Sequence, residues 1–139
     1  MPSALTLTSR VAPGTLIAKP RGEIPFERVL LELRNGGEAP AGGLRLKLEA
    51  RQGGDVICEL DEALEGDLAP GAVWAWDLYE LFLAKGRGFP SKVHMFGVKA
   101  ALGWDFTVRP SVGNAEASFR VRWSGTPAGP ITAVVEDLR

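Results

Sequence analysis

Residues 44–51 alternate without a break. Leu44, Leu46, Leu48 and Ala50 fall on one side of an extended chain, and Arg45, Lys47, Glu49 and Arg51 fall on the other. Successive side chains of a strand point to opposite faces, so this pattern predicts a strand with one dry and one wet face. Ala117, Phe119, Val121 and Trp123 repeat it against Ser118, Arg120 and Arg122. Half-wet strands belong to antiparallel sheets, because a parallel sheet is covered on both faces and reads as continuous apolar runs. Shorter strands are expected around Leu5 and Leu7 and over residues 26–33, 56–60 and 131–135. Over residues 94–108 every even position after His94 is apolar, from Phe96 to Val108. That is too long for one ordinary strand, and a bend or bulge is expected at Gly97 or Gly103.

One segment changes period. Asp77 can accept from backbone N–H groups, Glu80 follows three residues later, and Leu78, Leu81 and Phe82 then share a helical face. With Lys85 and Gly86 as a stop, a short helix is expected over residues 77–85. A strand entering from Val73 would place Trp74, Trp76 and Leu78 together, and both readings hold if the chain changes conformation at Asp77. The seventeen glycines and ten prolines are scattered between the apolar runs, as turns between strands would require. Asn35-Gly36-Gly37 is the strongest turn signal, on the expectation that these residues take positive φ at low cost. About eight short strands with one helix predict an all-β, antiparallel two-layer β-sandwich.

The run Val29 to Gly37, the strand from Leu44 and the turn Leu68-Ala69-Pro70-Gly71 resemble bacterial immunoglobulin-like modules of the cell-adhesion-related and FxLYD types. The resemblance covers about residues 27–78. It rests on a strand ending in Asn-Gly and on a Pro-Gly turn two strands later. The aromatic-aspartate pair of the FxLYD pattern is missing. The resemblance implies an immunoglobulin-like sandwich that binds or spaces without catalysis.

A chain of 139 residues suits one domain over 1–139, large enough to bury a core without a disulfide or metal. Sixteen basic and seventeen acidic residues leave a net charge of −1, which argues against nucleic acid as a partner. The first residues carry no charged segment ahead of an apolar run, and no stretch nears the ~20 apolar residues that span a bilayer. Cytoplasmic residence without membrane contact is the resulting expectation.

Chemistry is sparse. One histidine and one cysteine, His94 and Cys58, cannot build a structural zinc site. His94 sits on the parity of Phe96 and reads as a strand-end residue, and Cys58 reads as a small core residue. Gly86-Arg87-Gly88 is too short for a phosphate loop. The carboxylates between Asp55 and Asp67 match no calcium-loop spacing and are expected to form a solvated acidic loop. No catalytic set, metal or cofactor is expected. Four tryptophans stand out. Trp104 and Trp123 lie on inward parities, whereas Trp74 and Trp76 fit either the core or an exposed platform. Arg45, Lys47, Arg51, Arg109, Arg120 and Arg122 fall on wet faces. They form a basic patch if their strands are neighbours, unless acids such as Glu32 and Glu49 neutralise it. The candidate binding residues are Trp74, Trp76, Arg120 and Arg122. The candidate function is a non-catalytic protein-interaction or assembly module, self-association included. A tryptophan-lined site for carbohydrate or another small molecule and a carboxylate enzyme are the alternatives.

Overall fold

The structure, a computed structural model, describes residues 4–17, 22–85, 104–125 and 130–138. The strands run β1 (Leu5–Ala12), β2 (Thr15–Ile17), β3 (Glu23–Pro25), β4 (Arg28–Asn35), β5 (Arg45–Gln52), β6 (Asp55–Ala63) and β7 (Val73–Asp77). Helix α1 (Leu78–Lys85) follows, and then β8 (Trp104–Val112), β9 (Ala115–Glu116), β10 (Phe119–Gly125) and β11 (Ile131–Asp137). Two antiparallel sheets pack together, the smaller ordered β1-β4-β7 and the larger β11-β10-β8-β5-β6, with β9 paired to β8. β2 and β3 pair as a third, two-stranded sheet, whose Ile24 is buried in the common core. The all-β sandwich with one short helix is therefore the architecture of the described chain.

The alternation read from the sequence sets the two faces of each sheet. Leu46, Leu48 and Ala50 on β5, Phe106 and Val108 on β8, and Phe119, Val121 and Trp123 on β10 are all buried. They face Val29, Leu31 and Leu33 of β4, also buried. Replacing Leu46 or Phe119 by alanine should cost about 2–5 kcal/mol, from lost burial and the void left behind. Lys47→Ala, on the wet face, should leave the denaturant midpoint nearly unchanged. Equal midpoints for the two classes would overturn the assignment of faces.

The strand-to-helix change falls at Asp77. Its Oδ1 accepts from the Tyr79 N–H at 2.9 Å and the Glu80 N–H at 3.3 Å, satisfying two of the helix's unpaired donors. The helix turns Leu78, Tyr79 and Phe82 into the core. There Tyr79 and Phe82 meet Phe26, Phe106 and Trp123, at centroid separations between 4.9 and 6.5 Å.

Three expectations need correction. Asn35, Gly36 and Gly37 do not take positive φ; Asn35 is the buried last residue of β4 and turns the chain through its side chain. Gly37 is small for another reason, because a Cβ there would lie 2.8 Å from that of Ala4. The positive φ belongs to Gly71, at +78°, third residue of a turn closed by an Ala72 N–H to Ala69 carbonyl bond of 3.0 Å. The carboxylates of 55–67 do not form one loop: Asp55, Glu59, Asp61 and Glu62 lie on strand β6, where outward Glu59 and Asp61 pair across to Glu49 and Lys47, and only Glu65 and Asp67 lie in the exposed connection after it. Glu32 neutralises nothing on the larger sheet; it lies on β4, where Arg10 of β1 bonds it at 3.2 Å. The expected bend at Gly97 or Gly103, together with His94 and Gly86-Arg87-Gly88, lies outside the described residues.

Candidate interaction surfaces

An open sandwich exposes the outer edges of its sheets, and an unguarded edge strand can pair with another chain. The four edges here differ in what protects them. β6 carries Asp55, Glu59, Asp61 and Glu62. β11 ends in Glu136 and Asp137, and Glu27 caps its backbone. The Glu27 Oε1 accepts from the Ala133 N–H at 2.9 Å, and the Glu27 N–H donates to the Ile131 carbonyl at 3.0 Å. β1 packs against β9 and β11 of the other sheet. β7, Val-Trp-Ala-Trp-Asp, has no proline and no charge before its last residue, and that aspartate is held by the helix.

The pairing of β7 with β4 fixes which way its backbone points. The Asn35 N–H donates to the Ala72 carbonyl at 3.1 Å, which marks Asn35 and Ala72 as a hydrogen-bonded pair. Alternation along the antiparallel register then turns Trp74 and Trp76 toward Leu33 and Leu31. It leaves the N–H and C=O groups of Val73 and Ala75 pointing away from the sheet. Among the described residues no strand pairs with that side of β7.

The same register settles the two tryptophans. Sharing a face with Leu31 and Leu33, Trp74 and Trp76 point to the interior, yet on the last strand of the small sheet they are only half-buried. Their rings lie 6.5 Å apart with planes at 76°. With Leu64, Glu65 and Ala75 they line a depression of about 270 Å³ beside the open edge. They are part of the core and part of the surface at once.

Beyond the far end of β7, Arg28 lies over two neighbouring aromatic rings, its guanidinium 5.2 Å from the centroid of Phe26 and 5.0 Å from that of Tyr79. It donates to the Thr15 carbonyl at 2.6 Å and faces Asp77 and Glu80 at 3.7 and 3.6 Å. Burial pushes the neighbouring Tyr79 hydroxyl up to about 12, so it stays protonated. Arg28 ties strand, hairpin and helix together.

Arg120 and Arg122 lie elsewhere, on the outer face of the larger sheet, and the structure does not bring them to the tryptophans. Arg120 bonds Asp105 across the β10–β8 pair at 2.7 and 2.5 Å, and that hydrogen bonding holds the Asp105 carboxyl below its usual value. Arg45 bonds Asp61 at 2.8 Å and Arg51 bonds Glu49 at 2.8 Å. The six basic residues do share one face, but cross-strand acids alternate with them. The result is a mosaic of both signs, with no basic patch. Shallow depressions on it, of about 420 and 440 Å³, both include Arg109.

Cys58 is buried in the core, and desolvation raises its thiol to about 11, so it is not a ready nucleophile. Among the described residues no three His, Cys, Asp or Glu side chains are grouped to hold a metal. None of the described helix is long and apolar enough to cross a membrane. Sequence reasoning missed Glu65 and Leu64 as the far wall of the tryptophan depression, and Glu27 as the cap of β11. No local signal marks either, since both depend on which strand ends up at an edge. No family model, curated protein or solved structure matches the chain.

Proposed function

We propose that this domain is a non-catalytic protein-interaction module that takes an extended segment of another chain along β7. The reading is carried by one observation: among the described residues, β7 alone of the four edges of the two packed sheets has no charge before its last residue, no capping side chain and no covering strand, and its Val73 and Ala75 backbone groups face outward. Backbone pairing of this kind supplies affinity without a deep pocket, and side-chain niches beside the edge supply selectivity. The resemblance to immunoglobulin-like binding modules agrees with it. In support, the two halves of that resemblance meet physically, because Asn35 bonds the Pro-Gly turn segment through both its backbone and its side chain. A carbohydrate platform has less support, since two rings at 76° offer no common plane on which a sugar could stack.

The test is residue-resolved. Adding extended peptides of alternating apolar residues should shift the amide resonances of Val73 and Ala75 and slow their exchange with solvent. The amides along β6 and β11 should not respond. Any self-association seen by light scattering should use the same edge. It should vanish in Ala75→Pro, whose ring removes only an N–H that faces away from β4. Shifts centred on Arg120 and Arg122 instead would overturn the proposal.

A further inference from the structure

The depression beside β7 has a chemistry of its own. Two half-buried indole rings meet at 76°, 6.5 Å apart, so they bound a corner. Leu64 supplies an apolar wall and Glu65 the single charge among the described lining residues, on an exposed position. Tryptophan faces attract cations through the ring quadrupole within about 6 Å of the centroid, and a carboxylate beside them adds direct attraction. At about 270 Å³ the space falls below the roughly 300–1,000 Å³ of small-molecule sites and suits one side chain. The edge strand β6, with Asp55, Glu59, Asp61 and Glu62, makes the nearby border of the larger sheet acidic too.

We infer that this corner receives the cationic head of a lysine or arginine carried by the extended segment of another protein paired along β7. The inference rests on the strand-addition reading above. Pairing sets the register: residues of the incoming strand opposite Val73 and Ala75 exchange backbone bonds with them and point their side chains to the outer face. Val73 is 39% exposed and Ala75 is exposed, so apolar side chains suit those positions. The residue between them points inward, beside Trp74 and Trp76, and its methylenes run past Leu64 to bring the charge to Glu65. A second copy of this domain fits less well, because β7 has no basic residue to place in its partner's corner.

The experiment uses the full chain and three acetylated, amidated pentapeptides, with affinities from two-dimensional NMR titration. The first is Thr-Val-Lys-Val-Thr, the second has norleucine for lysine, and the third is the first with both valine nitrogens methylated. The lysine peptide should bind about tenfold more tightly than the norleucine peptide at low salt, with shifts at the Trp74 and Trp76 indoles. The methylated peptide should lose measurable binding, having lost the bonds to β7. Glu65→Gln, at an exposed position where folding is not at stake, should narrow the lysine–norleucine ratio. Equal affinity for lysine and norleucine would overturn the cation corner and leave strand addition standing. Undiminished binding of the methylated peptide, or no binding by any of the three, would overturn strand addition and this inference with it. An unchanged ratio in Glu65→Gln would overturn the role of the carboxylate.

Discussion

Trp123→Ala should be among the most damaging single substitutions in this domain, at about 3–5 kcal/mol. Trp123 is fully buried on β10 and, among the described residues, stands among four other rings. It stacks on Phe26 at 5.6 Å and meets Phe106, Tyr79 and Phe82 at 6.2, 6.3 and 6.5 Å. Those neighbours come from the β3–β4 connection, from β8 and from the helix, so the site cannot collapse by shifting one element. The void would persist, and its cost adds to the lost burial. The indole N–H also donates to the Glu27 carbonyl at 2.7 Å, while Glu27 caps β11. Trp123→Phe keeps much of the ring volume but leaves that carbonyl without its donor, and should cost about 1–3 kcal/mol. The check is a denaturant midpoint at unchanged slope, so that the loss reports stability alone. A cost below about 1 kcal/mol for the alanine variant would mean that the aromatic cluster does not organise the core. Against a total stability of roughly 5–15 kcal/mol, the expected loss leaves little in reserve.

Trp123 also shows what a sequence reveals and what it hides. Its inward parity was legible, because a period of two needs only neighbouring residues. The same holds for Leu46, Leu48, Phe119 and Val121, and for the change of period at Asp77, where a capping side chain marks the spot. The five-ring cluster was not legible, since residues 26, 79, 82, 106 and 123 meet only once two sheets and a helix have packed. Trp74 and Trp76 were ambiguous for a physical reason: a side chain on the inner face of a central strand is buried, but on an edge strand it is half-exposed. Edge status depends on strand order, which alternation does not encode. The wet-face arginines were correctly grouped, yet their net effect depended on register. Asp105 opposite Arg122 and beside Arg120 turns a basic stripe into a mosaic. Glu65, as a wall of the corner, depends on where the connection after β6 runs.

Asn35→Ala should cost about 2–4 kcal/mol, far more than loss of an ordinary turn residue. Asn35 is the buried polar residue of the described core, and both polar atoms of its side-chain amide are bonded. Nδ2 donates to the Ala39 and Leu68 carbonyls, each at 2.9 Å, and Oδ1 accepts from the Gly37 N–H at 2.9 Å. Its backbone carbonyl accepts from the Gly71 N–H at 2.7 Å. One residue thus joins the end of β4, the loop that follows it and the Pro-Gly turn that leads into β7. A net hydrogen bond is worth about 1 kcal/mol, and a buried group left without its partner costs about 1–3 more. Alanine removes three bonds at once. Asn35→Asp should be at least as harmful at neutral pH, because it sets a buried carboxylate against two carbonyl oxygens. Gly71→Ala strains a residue at φ +78° in the same assembly, so the double variant Asn35→Ala/Gly71→Ala should cost less than the two single losses added together. Strict additivity in denaturant melts would show that Asn35 and the turn are independent. Because this knot sets where β7 begins, the Asn35→Ala variant should also weaken any peptide binding at Val73 and Ala75 under conditions where the rest of the fold is intact.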